Sequence, residues 1–479
     1  MTFLAKAISQ AQSDKSEQRK ELVFLMRMPN SRQISDEQET IYLDAPMSGN
    51  ILISGPPGTG KTVLAFLRAG TLLKRKRSVT VLMYNRVLQK YTSNAVEVDG
   101  EAVKTCTLHS WLFKWWKTNK IASKVSYPGR VYLDCPFEEK AAAKGLGAQW
   151  DNYEKKWWIS HELHQQIGQR FSQWINDKSD QSIFPPRLAP FLYDWEKMSI
   201  SLVTHPMREY PLTDWGHLIV DEGQDFPPEM YHFFKRVSLV LNDVNLTILA
   251  DENQRLTENN STLNNIKEEL SISKENEFLL TKNFRNTLQI AKLANCFYVG
   301  LSTGCPLLPD RHGDKPLLIS STDLDGQISH IVKVLNSRSP AEVGVIVPRD
   351  SIRKEVVAKL EALIGDRYSV QTYSSNQDEA KDPNDLVFDQ VGTVTVLNYQ
   401  SCKGLEFDIV FLPELQDYQV DNSELDNFKM NMYVMCSRAR DALFLTYSSH
   451  LDEKPDILTH LPVNETDILE SISWQNHSQ

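Results

Sequence analysis

An α/β fold with buried parallel sheets is what this sequence predicts, and three observations carry that reading. Several short runs are continuously apolar or nearly so: SVTVLMYN (78–85), HLIVDE (217–222), LTILAD (246–251), GVIVPR (344–349), TVTVLNY (393–399) and IVFLPE (409–414). Strands covered on both faces lose the polar alternation of half-exposed strands, so such runs point to parallel sheets. Helical spacing lies between them, as in PPEMYHFFKRVSLVL and DSIRKEVVAKLEALI, which gives the alternation of an α/β architecture. The third observation is GPPGTGKT, Gly55 to Thr62, set between apolar NILIS and helical VLAFLRAGTLLKR.

Length and composition bound the rest. A chain of 479 residues exceeds one ordinary core and implies two to four folding units. Hydrophobic content of 41% and charged content of 24% are those of a globular chain rather than a disordered one. No run approaches the roughly 18 apolar residues of a membrane helix. The start, MTFLAKAISQAQSDKSEQRK, turns polar without a cleavage-site pattern. The expectation is a cytoplasmic protein with no membrane partner. Cysteines 106, 135, 296, 305, 402 and 436 show no C-x-x-C pair and no zinc spacing, and read as reduced thiols. A net charge of -10 argues mildly against nucleic acid, although a groove needs only local positive charge.

The loop Gly55, Pro56, Pro57, Gly58, Thr59, Gly60, Lys61, Thr62 fits G-x-x-x-x-G-K-[ST] in the strand–loop–helix context that the pattern requires. Backbone N–H groups and the helix N-terminus would surround phosphates, Lys61 would reach the β/γ oxygens, and Thr62 would ligate Mg²⁺. Such a loop needs an acidic partner for the metal. HLIVDEGQDF supplies Asp221 and Glu222 at a strand end. Asp221 would hold Mg²⁺ and Glu222 would deprotonate the attacking water. Alone, two adjacent acids after a strand read as a solvated turn; joined to the loop, they favour the metal reading.

VDEGQDF resembles the DExxQD form of superfamily 1 helicases of the UvrD/Rep type, and further elements follow in that family's order. Gln38 in ISDEQ resembles the glutamine that reads adenine. Asn85 in LMYNRVLQ, and Thr107, His109 and Trp111 in TLHSW, resemble segments that lie along single-stranded nucleic acid. Asp251 and Gln254 in LADENQRL match G-D-x-x-Q, the γ-phosphate sensor. Phe284 and Arg285 in NFRN resemble N-Y-R-S, whose aromatic stacks on adenine and whose arginine meets the γ-phosphate. Arg438 in CSRAR resembles a second arginine finger. SCKGLEF resembles the K-G-L-E-F segment, placing Gly404 and Glu406 near ribose and backbone. The chain departs from the family at Asn398, where threonine is usual, and at Gln400, which replaces a strand-contacting histidine. Directly after Gln254, where the family often places a base-stacking aromatic, RLTENNSTL offers none.

The resemblance implies two RecA-like motor domains, the first formed by 1–110 and 205–283 and the second by 284–450, with a polar tail at 451–479. The interruption, 111–204, has its own texture: eight of the chain's ten tryptophans and 13 Lys plus Arg against 10 Asp plus Glu. Within it, about 130–160, VYLDCPFEEKAAAKGLGAQWDNYEKKWWIS resembles a small domain of unknown function found appended to conjugation-associated primases. Phe137, Leu146, Trp150 and Trp157 are expected to form its core around a helix bearing Lys140 and Lys144 and ended by Gly145 and Gly147. Those lysines, with Lys155 and Lys156, would contact phosphate, or the module would be a folding plug.

The implied activity is an ATP-dependent, Mg²⁺-requiring translocase or helicase moving 3′ to 5′ on single-stranded or forked DNA, in DNA repair or phage defence. A nuclease or other recruiting protein is an expected partner. The alternative is a nucleotide-gated DNA-binding or signalling subunit of a nuclease-containing complex, without strand separation.

Overall fold

The computed structural model describes residues 35–84, 86–92, 97–98, 101–125, 127–254, 260–300, 304–339, 341–373, 386–388, 390–418, 420, 425–448 and 455–474. They form two compact units. The larger takes the described residues up to Cys106, His217–Phe226 and the described residues from Asn245 onward; the smaller takes Thr107–Gly216 and Pro227–Val244.

The larger unit is α/β and holds two large sheets. The first has the strand order Glu277–Leu279, Asn50–Ser54, Val244–Ala250, Gly216–Val220, Val79–Met83, Thr105–Thr107. Asn50–Ser54 runs parallel to both its neighbours, and Gly216–Val220 runs parallel to Val79–Met83. Helix Lys61–Lys74 buries Leu64, Ala65, Phe66, Ala69 and Leu72 in a core with Ile51, Ile53, Val79, Val81 and Ile219. The second sheet has the order Ser369–Thr372, Thr393–Asn398, Glu342–Val347, Phe407–Leu412, Ala439–Ser448, Leu317–Ser321, Glu470–Ser473, with every neighbouring pair parallel. All six apolar runs are strands of these two sheets. The parallel order puts the loops after the strands at one edge of each sheet, where α/β proteins assemble their sites.

Residues 455–474 differ from the loosely held tail that their polarity suggests. Ile457, Leu458, Leu461 and Leu469 are buried in the second sheet's core, and Glu470–Ser473 pairs with Leu317–Ser321 as its edge strand. These buried side chains, with Val463, Ile468, Ile472 and Trp474 packed partly buried beside the sheet's cores, anchor the segment.

In the smaller unit, Lys156–Ser160 lies between Arg130–Leu133 and Gln149–Asp151, antiparallel to both. The expected module core is corrected here. Leu133, Ala143, Ala148, Ile159, Phe171 and Trp174 are the buried residues; Leu146 and Trp157 are half-buried against them. Phe137 is 74% exposed and Trp150 44% exposed. Lys140 Nζ lies 3.5 Å from the centroid of the Phe137 ring, and the Trp150 ring, on an edge strand, meets Trp157 edge-on. Helix Lys140–Gly145 does end as expected, with Gly147 at φ 100. Lys156 spends its ammonium on the carbonyls of Lys178 and Ser179, at 2.7 and 2.9 Å.

Because Leu469 is fully buried, Leu469→Ala is expected to destabilise the larger unit by about 2–5 kcal/mol in chemical denaturation. A loss under about 1 kcal/mol would mean that the 455–474 segment does not pack as described.

Candidate active site

The glycine-rich loop is held from two sides. Helix Asp36–Asp44 begins with a reciprocal cap: Gln38 N donates to Ser35 Oγ at 3.1 Å and Ser35 N donates to Gln38 Oε1 at 3.0 Å. The cap fixes the Gln38 amide, whose Nε2 then donates to Thr59 O at 2.7 Å. Glu37, one residue earlier, accepts from Thr281 N at 2.9 Å and from Thr281 Oγ1 at 2.8 Å. Phe284 N donates to Gly58 O at 2.8 Å, which sets the 43% exposed Phe284 ring beside the loop. Gly60 is the N-cap of helix Lys61–Lys74 at φ 82, and a Cβ there would run into Gln38 Nε2, so both the backbone and the space require glycine.

Lys61 is buried; its Nζ donates to Gly55 O at 2.7 Å and lies 3.9 Å from Asp251 Oδ2. Burial lowers its pKa, while Asp251, Glu222 and Asp221 work against that. Thr62 Oγ1 donates to Asp221 Oδ2 at 2.8 Å. Burial, then neighbouring Glu222, pushes Asp221 up to about 6. Burial also works to raise Glu222, but the charges of Lys403 and Lys61 and the hydrogen bond from Gln224 outweigh it and hold that carboxyl below its usual range. Glu222 takes the left-handed conformation, φ 53, at the turn after its strand. Gln224 Nε2 donates to Glu222 Oε2 at 2.7 Å, and Gln224 Oε1 accepts from Asp251 N at 2.9 Å.

Gln254 joins the two sheets. Its Nε2 donates to Asp251 Oδ2 at 2.7 Å, and its Oε1 accepts from Arg438 Nη2 at 2.9 Å. Arg438 is fully buried, also donating to Val434 O and Leu405 O, and burial lowers its pKa to about 10, still charged at neutral pH. Arg285 pairs with Glu406, and its buried Nε has no hydrogen-bond partner among the described residues. Burial works to raise Glu406, but Arg285 and Arg440 hold it below the usual carboxylate range. Gly404, at φ 79, packs where a Cβ would meet Leu88 at 2.7 Å.

The larger unit therefore brings together Gln38, the loop from Gly55 to Thr62, Asp221, Glu222, Asp251, Gln254, Arg285, Glu406 and Arg438. It does not gather the nucleic-acid candidates in the same way. Gln400 is exposed in the larger unit, and Asn85 lies outside the described residues. In the smaller unit Thr107 Oγ1 caps helix Leu108–Thr118 at Ser110 N, 3.3 Å, and His109 is half-buried. Trp111 is buried against Trp115, Trp215 and Phe234.

Three positioning residues escaped the sequence reading. Lys403 is buried, pairs with Asp225 at 2.6 Å and donates to Gln254 O, so the lysine of K-G-L-E-F reaches the acid turn of the other sheet. Asn286 Nδ2 donates to Ser437 O at 3.2 Å and Ala439 O at 2.5 Å, straddling Arg438. Glu37 is the third. The K-G pair was the available signal for Lys403; the other two carry none.

Residues 130–176 match a family model described as a domain of unknown function (DUF5710). No curated protein matches the chain. A solved structure, the C-terminal domain of a possible DNA helicase from Lactobacillus plantarum WCFS1, is 19% identical and aligns over 39% of this chain and 98% of that one with a TM-score of 0.28. No helix among the described residues is long and apolar enough to cross a membrane.

Lys403→Met leaves Asp225 buried and uncompensated, so a loss of about 3–5 kcal/mol in denaturant unfolding is expected. Lys403→Met/Asp225→Asn should recover part of it; equal losses in the single and double variants would mean that the pair does not interact.

Proposed function

We propose that the chain is an ATP-dependent translocase or helicase with two RecA-like motor lobes of the superfamily 1 UvrD/Rep type, acting on single-stranded DNA in the 3′ to 5′ direction. The observation that carries the reading is the buried link Asp251–Gln254–Arg438, with Lys403 on Asp225, which joins the phosphate-loop sheet to cations of the second sheet. In a motor, that junction is where hydrolysis changes the cleft.

The residues fit a magnesium nucleotide. Among the described residues no three His, Cys, Asp or Glu side chains gather as a metal site. Thr62 and Asp221 offer one hydroxyl and one carboxylate, a sparse set suited to Mg²⁺, which keeps waters and phosphate oxygens as its other ligands. The unpartnered, buried Nε of Arg285 suits an anionic oxygen. When bound, Mg²⁺ would neutralise charge on the phosphates.

The chain's own residues then divide the work. Lys61 supplies positive charge at the loop, Glu222 is the base for the attacking water, and Gln224 fixes one of its oxygens. Phe284 offers a ring for adenine, and Gln38 steadies the loop through Thr59. Arg285, released from Glu406, and Arg438 would supply charge to the transferring phosphoryl group.

Titrating ATPase activity with single-stranded DNA, duplex DNA and RNA tests the reading; the largest stimulation is expected with single-stranded DNA. Lys61→Ala and Glu222→Gln should abolish hydrolysis, the second while retaining nucleotide binding. Arg285→Ala should lower turnover by roughly 10³ with far less effect on nucleotide binding. Nucleotide binding without nucleic-acid stimulation or strand displacement would instead favour the gated, non-motor subunit.

A further inference from the structure

The smaller unit presents an aromatic surface that the catalytic reading does not use. Helix Leu108–Thr118 is two-faced. Leu108, Trp111, Leu112, Trp115 and Trp116 are buried, whereas Ser110, Lys114 and Lys117 are exposed and His109 and Phe113 half-buried. Phe113 stacks on Phe184 at 5.1 Å between ring centroids. The His109 ring lies 5.2 Å from Phe191 and 5.1 Å from Tyr193.

Phe191 is the outermost of these rings. It sits at the turn between the antiparallel strands Arg187–Ala189 and Leu192–Tyr193, 65% exposed, flanked by exposed Leu188 and Leu192. Its φ of 64 lies in the left-handed region, which a bulky residue rarely adopts. A strained backbone that leaves a large apolar ring in water gains little from folding, so an external partner for the ring is the economical explanation.

The charges around it favour a polyanion with planar groups. The helix has exposed lysines and no Asp or Glu, and the acid nearest in sequence to Phe191, Asp194, is 3.9 Å from Lys197. Segment 111–204 carries 13 Lys plus Arg against 10 Asp plus Glu in a chain of net charge -10. Every nucleobase has a face that stacks on an aromatic ring, so this chemistry does not require a particular sequence.

We propose that Phe191, backed by His109, forms a stacking step for an unpaired base of single-stranded nucleic acid. The proposal rests on the nucleic-acid reading above, and it supplies a stacking ring that the segment RLTENNSTL, directly after Gln254, lacks.

The test is the Kd of the full chain for a fluorescein-labelled oligothymidylate, measured by anisotropy, with thermal unfolding as the fold control. Phe191→Ala should weaken binding by roughly 5- to 100-fold and Phe191→Trp should retain it, whereas Phe191→Leu should behave like alanine. An oligonucleotide of abasic sites should bind the wild-type chain more weakly than oligothymidylate does, with that difference reduced in Phe191→Ala. Wild-type binding equalled by both Phe191→Ala and Phe191→Leu would overturn the stacking step while leaving the motor reading intact. Failure of the wild-type chain to bind any oligonucleotide would overturn both.

Discussion

Compensation of buried charge is the constraint on which the candidate site depends. Lys61, Lys403 and Arg438 are buried together with Asp221, Glu222, Asp225 and Asp251. Isolated, any one of them would be prohibitively costly out of water. They persist because each has a polar partner: Lys403 pairs with Asp225, Arg438 reaches Asp251 through Gln254, Lys61 donates to a loop carbonyl near Asp251, and Asp221 and Glu222 accept from Thr62 and Gln224. Burial raises the cost of all four carboxylates, and both Asp221 and Asp251 are pushed up by it.

Much of this was legible in the sequence, for identifiable reasons. The sheet strands were readable because burial on both faces makes runs such as HLIVD and VTVLM largely apolar, without polar alternation. The glycine-rich loop was readable because Gly60 has to be glycine twice over, for its φ and for the room taken by Gln38. Lys403 was visible only as an unexplained residue. Its partner Asp225 lies 178 positions away, and an ion pair at that separation leaves no periodic or spacing signal. Asn286 and Glu37 act through backbone groups of Ser437, Ala439 and Thr281, and backbone acceptors and donors have no sequence signature at all.

Two local misreadings have separate causes: composition averages over side chains facing opposite ways, and a quoted pattern can end short of the core it belongs to. In 455–474 the edge strand Glu470–Ser473 reads as polar because it is largely exposed, while Leu469 beside it is fully buried. In the module, the core draws on Phe171 and Trp174, which lie beyond the pattern at 131–160, while the expected core residues Phe137 and Trp150 are exposed. Residues 130–176, the span of the matched family model, do include both core aromatics.

The tryptophan-rich composition of 111–204 therefore describes more than one structure. Trp174 belongs to the module's core, whereas Trp111, Trp115 and Trp215 pack together with Phe234 as a separate aromatic group in the same unit. The segment TLHSW feeds the second group and splits its roles in doing so. Thr107, the extended N-cap, is occupied in capping the helix, and Trp111, on the helix's inward face, in filling the core. His109, two positions before Trp111, points to a different face and alone of the three keeps a partly open ring. If this segment meets a nucleic-acid strand, the ring available to do so is His109 with the hairpin aromatics beside it, and the tryptophan acts only by holding their helix in place.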